Sequence, residues 1–177
     1  MPLRTDSIPP ASQNPVNLIC FLLLESDHLT SIHDVYAKLG AGFEDISSDG
    51  DVLEDWRELG LTSNEAPHLL RFSTGACRGE MELVFNGNRL VQAGVQVFGD
   101  SSASGPVRGT FRLASAFIGS RFSVMEVAPL HLLFNDRRYN GYLRSLDVPG
   151  GSSTTFRMAD LSWCERVYGP NSEFSLS

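Results

Sequence analysis

Through most of the second half of the chain, hydrophobic and polar positions alternate with a period of two, which predicts strands. The longest such stretch is residues 121–135. There Phe122, Val124, Ala128, Leu130, Leu132 and Phe134 share one face, and Glu126 is the only charge among them. Arg121, Ser123 and His131 fall on the other face. Pro129 marks a bulge or an edge, because proline cannot donate to a strand ladder.

Residues 78–85 alternate as well, with Gly79, Met81, Leu83 and Phe85 opposite Arg78, Glu80 and Glu82. Asn86-Gly87 predicts a type I′ hairpin turn, since both central residues of that turn need positive φ. Residues 88–98 return with Val91, Ala93, Val95 and Val97 on one face and Gln92, Gly94 and Gln96 on the other. Residues 107–113 predict a further strand, with Arg108, Thr110 and Arg112 on its polar side. Shorter strands are expected over 68–73, 142–148 and 153–163.

The first half reads differently. Residues 16–24 form a continuous apolar run of strand length and predict a buried strand, although periodicity alone does not separate this from a buried helix. Ile32, Val35, Tyr36 and Leu39 recur at helical spacing. Thr30 or Ser31 caps that helix, and Gly40 ends it. Residues 44–58 carry seven carboxylates but lack the alternate-position spacing of a calcium loop. They predict an acidic loop and a short helix with Leu53, Trp56 and Leu59 facing inward.

Two short N-terminal helices followed by about seven to eight strands predict an α+β fold, mainly antiparallel β, in a curled sheet or barrel. The domain plan is a flexible arm over 1–15, a single globular β-rich domain over 16–168 and a loose tail over 169–177.

Charge refines this picture. The net charge of −7 disfavours non-specific nucleic-acid binding. Residues 1–88 hold 14 acids and 5 bases, whereas residues 89–177 hold 7 and 9. Thirteen of the 14 basic residues are arginine, whose planar fork suits carboxylates and phosphates. Cys20, Cys77 and Cys164 show no disulfide or zinc spacing, which points to a reducing, cytoplasmic-type compartment. The apolar run over 18–24 is too short to span a bilayer. Oligomeric state is not legible.

The candidate chemistry centres on Glu126. A carboxylate on an apolar face must be paired, protonated or facing a ligand. Arg144, between Tyr142 and Leu146, is its expected partner, and Tyr142 could stabilise developing negative charge. Arg108, Arg112, His131, Phe122 and Trp163 are candidate ligand contacts. Asp136 with His131 is a further acid/base pairing to consider. No metal site and no cofactor motif is evident, because the glycine-containing loops match neither GxGxxG nor a P-loop and no GxSxG elbow occurs. The leading expectation is a cavity protein, a carrier or chaperone-like lyase, for an apolar or partly anionic small molecule. One alternative is a cofactor-independent isomerase, cyclase or dehydratase using Glu126 as general acid or base. A second is a protein–protein interaction module that meets a basic partner through residues 44–58.

Overall fold

A computed structural model describes residues 14–40, 42–75 and 77–169. Of the arm expected over 1–15, only Asn14 and Pro15 are described, and they start the first helix. The tail expected over 169–177 lies outside the described residues except for Gly169.

The elements run α1 (Pro15–Glu25), α2 (Ile32–Leu39), β1 (Glu44–Asp45), α3 (Gly50–Glu58), β2 (Glu65–Thr74), β3 (Cys77–Asn86), β4 (Arg89–Asp100), a 3-10 turn (Ser101–Ala103), α4 (Ser104–Gly119), β5 (Ser123–Ala128), β6 (His131–Asn135), β7 (Tyr139–Val148), β8 (Gly151–Asp160) and α5 (Leu161–Tyr168). The strands form one open antiparallel sheet in the order β1-β2-β3-β4-β8-β7-β6-β5. Two meanders thus meet at β4 and β8, with α4 as the crossover between them. The α+β, mainly antiparallel expectation holds. The sheet is open rather than closed into a barrel, so β1 and β5 remain as edges.

Two stretches differ from the expected strands. Residues 16–24 are helix α1. Asn14 accepts a hydrogen bond from Val16 N (2.9 Å), and Pro15 sits in the first turn, where its missing N–H costs nothing. Leu18, Ile19, Phe21 and Leu22 are all buried. The half-buried and exposed positions of α1, Leu23 and Leu24 among them, are largely apolar too, and that erases the period that would reveal it. Residues 107–113 belong to α4. Its buried set, Val107, Thr110, Phe111, Ala114 and Ile118, follows helical spacing over a longer window than the apparent alternation.

The 121–135 stretch is a hairpin of two strands, broken at Pro129 and Leu130. The β3–β4 turn is centred on Gly87 and Asn88, one residue later than expected, and only Gly87 takes positive φ (59°). The helix over 32–39 is present with a reciprocal capping box between Ser31 and Asp34, ended by Gly40 at φ 72°.

Register sorts the side chains onto two faces. One face carries Leu70, Met81, Leu83, Val95, Phe134, Leu143 and Phe156 and packs beneath α1, α2 and α4 as the main core. The other carries a small cluster of Val84, Val91, Tyr142 and Ala159 beneath Trp163 and Cys164 of α5. Most of this second face lies outside that cluster and is polar.

Candidate functional site: the open face of the sheet

The pairing lays two rows across the second face. The first runs Arg71, Glu80, Gln96, Thr155, Arg144, His131. The second runs Leu69, Glu82, Gly94, Arg157, Tyr142, Leu133. A cleft of about 330 Å³ opens over the β2–β3–β4–β8 part of these rows. Glu80, Glu82, Gly94, Gln96, Thr155 and Arg157 form its floor. Val52, Asp55, Trp56 and Leu59 of α3 and its following turn make one wall, and Tyr168 at the end of α5 makes another.

Each wall has an identifiable anchor. Trp56 is the one buried side chain of α3, and the rest of the helix is half-buried or exposed. Helix α5 is held at its start by Asp160, which accepts from Trp163 N (3.2 Å) and pairs with Arg89. A second tie is Glu65, which accepts from Trp163 Nε1 (2.8 Å) and pairs with Arg166. These contacts place Tyr168 over the floor. Its hydroxyl donates to Gln92 Oε1 (2.9 Å), and Gln92 in turn donates to Glu82. Burial, with the Glu82 charge nearby, pushes the Tyr168 phenol up to about 12, so it is a neutral donor at physiological pH.

The charges on the floor are organised. Arg157 pairs with Glu82 (3.0 Å), and Arg71 pairs with Glu80 (3.3 Å). Around the cleft stand the three carboxylates of Asp55, Glu80 and Glu82 against the single lining guanidinium of Arg157. The exposed acids Asp49, Asp51, Glu54 and Glu58 on and beside α3 add to the same negative field. Gly94 leaves the floor low between Glu82 and Arg157. A Cβ there would lie 3.1 Å from Arg157 Cγ. Two further surface depressions share Arg78 and Phe98, but fewer side chains converge on either.

The expected site residues are dispersed. Glu126 faces the same side as Leu132, on edge strand β5, and is exposed. Arg144 pairs across to His131 and Thr155, on the opposite face, so the expected Glu126–Arg144 pair does not form. The reason is register. The two positions have opposite parity relative to β6, and β6 separates their strands. As an edge residue, Glu126 keeps contact with water; charges on edge strands discourage unwanted pairing. Tyr142 is buried beneath α5, on the side opposite Glu126. Arg108 and Arg112 lie on α4 rather than on a strand; Arg108 pairs with Asp147 (2.6 Å), and Arg112 is exposed. Phe122 packs edge-on against Phe134 in the main core (5.1 Å between centroids). Trp163 is structural, through Glu65. His131 packs edge-on against Tyr142. Asp136 accepts from Arg138 N (2.7 Å) and Tyr139 N (2.8 Å) at the other end of β6 from His131, so that pairing is absent too.

The cleft residues missed by reading single strands come together only through the bulge between Val84 and Phe85, which sets the polar sides of β3 and β4 on one face. Glu80 and Glu82 on one arm and Gln96 and Gly94 on the other occupy the polar sides of two strands joined by a two-residue turn. Tyr168 and Arg157 gave no such signal, because only the β4–β8 and α5 contacts bring them there.

Among the described residues no group of three or more His, Cys, Asp or Glu side chains could hold a metal ion. The three cysteines are free. No helix among the described residues is long and apolar enough to cross a membrane. Comparison of the chain with protein-family models, curated proteins and solved structures returns no match in any of the three.

Proposed function

We propose that this protein is a recognition module that binds a basic segment of a partner polypeptide in the cleft between α3 and the open face of the sheet. The observation that carries this reading is the cleft's composition, with Asp55, Glu80 and Glu82 set against Arg157 and flanked by Trp56 and Tyr168. A guanidinium or ammonium group would exchange water for carboxylate hydrogen bonds and contact with the half-buried Tyr168 ring, both favourable to cations. Arg157 is paired with Glu82 and Arg71 with Glu80, so neither arginine offers much repulsion, and Asp55 with the exposed acids of α3 supplies the remaining negative charge. The acidic surface of α3 would steer such a segment toward the cleft.

An anionic small molecule fits this composition poorly. The closed barrel, one of the two shapes behind that expectation, is not the fold, and the open sheet leaves the cleft as its concave surface. General acid–base catalysis by Glu126 loses its support from burial in the same way.

The test is fluorescence anisotropy with a labelled peptide bearing arginine and lysine, titrated with wild type and with the Asp55→Asn/Glu80→Gln double variant. Binding should weaken at least about tenfold in the double variant, equivalent to about 1.4 kcal/mol. It should also weaken as ionic strength rises. Equal affinity for both proteins contradicts the reading.

A further inference from the structure

We propose that Arg144 extends the cleft into a bipolar surface, taking a carboxylate of the same partner segment about four residues away from its basic side chain. The inference rests on the cleft reading above and adds a second specificity element to it.

Arg144 belongs to the same cross-strand row as Glu80. The intervening positions are Gln96 and Thr155, both of which line the cleft. Its Nε is buried and makes no hydrogen bond among the described residues. The guanidinium lies over the Tyr142 ring, 5.5 Å from the centroid. Its neighbours on the sheet are Tyr142 and Leu146 along the strand and His131 and Thr155 across it, and none of these is a carboxylate. Of the other arginines on this face, Arg71 pairs with Glu80 and Arg157 with Glu82, whereas Arg78, at the far end of β3, like Arg144 has no acid partner among the described residues. Arg144 is thus a cation whose desolvated Nε has no acceptor among the described residues, the condition that an incoming carboxylate would relieve.

The surroundings suit a docked chain. Met125 on the same face is 47% exposed, and Leu146, two residues along the strand from Arg144, is 45% exposed. Leu130, in the turn beside His131, is 36% exposed and holds φ at 58°, a left-handed conformation that glycine or asparagine normally takes. An arginine rimmed by exposed apolar side chains has the composition of an interface centre.

The spacing follows from sheet geometry. Glu80 and Arg144 are separated by three strand steps, about 14 Å at about 4.8 Å per step. An extended segment crossing the strands covers that distance in about four residues at about 3.3 Å each. The segment therefore carries a basic residue over the cleft and an acidic one, flanked by apolar side chains, about four positions away.

The experiment compares labelled peptides by anisotropy. One carries a single arginine in a Gly/Ser/Leu background; two others add a glutamate about four positions before or after it. On wild type, one of the glutamate peptides should bind about tenfold more tightly than the arginine-only peptide. In Arg144→Gln that gain should vanish while the arginine-only affinity is retained. If the glutamate adds nothing on wild type, or its gain survives in Arg144→Gln, the role of Arg144 is overturned and the cleft reading stands. If no peptide binds, both fall together. A dimer of the protein alone that dissociates in Arg144→Gln would also overturn the proposal, because a second copy would then occupy the surface.

Discussion

The indole N–H of Trp163 donates to Glu65 across 2.8 Å, and the Glu65 side chain is wholly buried. The bond joins the start of β2 to α5, residues nearly a hundred positions apart. It is therefore a long-range tie that holds one wall of the cleft over its floor. Glu65 also accepts from Thr62 N (2.7 Å) and pairs with Arg166, so the buried carboxylate has three partners.

Removing that carboxylate strands its donors. Glu65→Ala should cost about 3 kcal/mol in urea unfolding, the lower end of the range for breaking a buried pair, because Arg166 is partly exposed. Glu65→Gln, which keeps an acceptor for Trp163, should cost clearly less. Equal losses in the two variants would show that the charge, rather than the hydrogen bond, holds α5.

Two glycines make a contrasting pair. A Cβ on Gly141 would enter the Phe134 ring and crowd the Arg157 carbonyl, whereas one on Gly109 meets nothing within 4 Å. Phe134 stacks on Phe156 in the core (5.7 Å, 6° between planes), so its ring has little room to move. Gly141→Ala should destabilise by about 3 kcal/mol through overpacking. Gly109→Ala, inside α4, should stabilise by about 0.5–1 kcal/mol through helix propensity. Thermal unfolding of both variants checks the assignment of residues 104–119 as a helix, because a strand there would not favour alanine.

His68 links stability to pH. Burial lowers its pKa, with Asp45 opposing and His33 reinforcing the shift. The ring is half-buried against Phe85. Since the unfolded chain takes up the proton more readily, stability is full above the unfolded histidine value of about 6.5 and declines as pH falls from there toward the lower folded value. His68→Gln should flatten the unfolding curve in that window while leaving the more acidic carboxylate-driven loss in place. A slope unchanged by the substitution would mean that other groups carry it.

Glu126 is an edge residue, so Glu126→Gln should change stability by no more than about 0.5 kcal/mol. Glu126→Val is the more informative change. It removes the one charge from a strand that already exposes Val124, Met125 and Val127. Light scattering should then report concentration-dependent self-association that wild type lacks. Two monodisperse samples would remove the edge-protection role.

The β meanders were legible where a strand alternates apolar positions on the core side with polar ones on the other. The period-two signal therefore survives in 77–86, 89–100 and 139–148. Helix α1 was not legible, because its outward positions are largely apolar as well and leave no polar stripe. Helix α4 was misread because Val107, Gly109, Phe111 and Leu113 alternate by coincidence over a short window, while its real stripe extends to Ile118. The candidate site was half-visible. The polar sides of β3 and β4 could each be read, but a plain two-residue turn would set Glu80 opposite Val95; the bulge between Val84 and Phe85 brings it opposite Gln96, and the wall residues depend on where α3 and α5 settle. Glu126 was misleading for a physical reason. A strand's pattern says which side a residue faces, but not whether the strand is central or an edge, and only a central position would have buried that charge.

The central claim is that the cleft over β2, β3, β4 and β8 takes a basic segment, and amide chemical-shift mapping tests it most directly. Titrating an arginine- and lysine-bearing peptide into isotope-labelled protein should shift the amides of Gly94, Gln96, Thr155, Arg157 and the α3 residues around Trp56, and leave those of α1 and α2 unmoved. Perturbations confined to the α1–α2 side, or no perturbation at peptide concentrations where anisotropy reports binding, would contradict it.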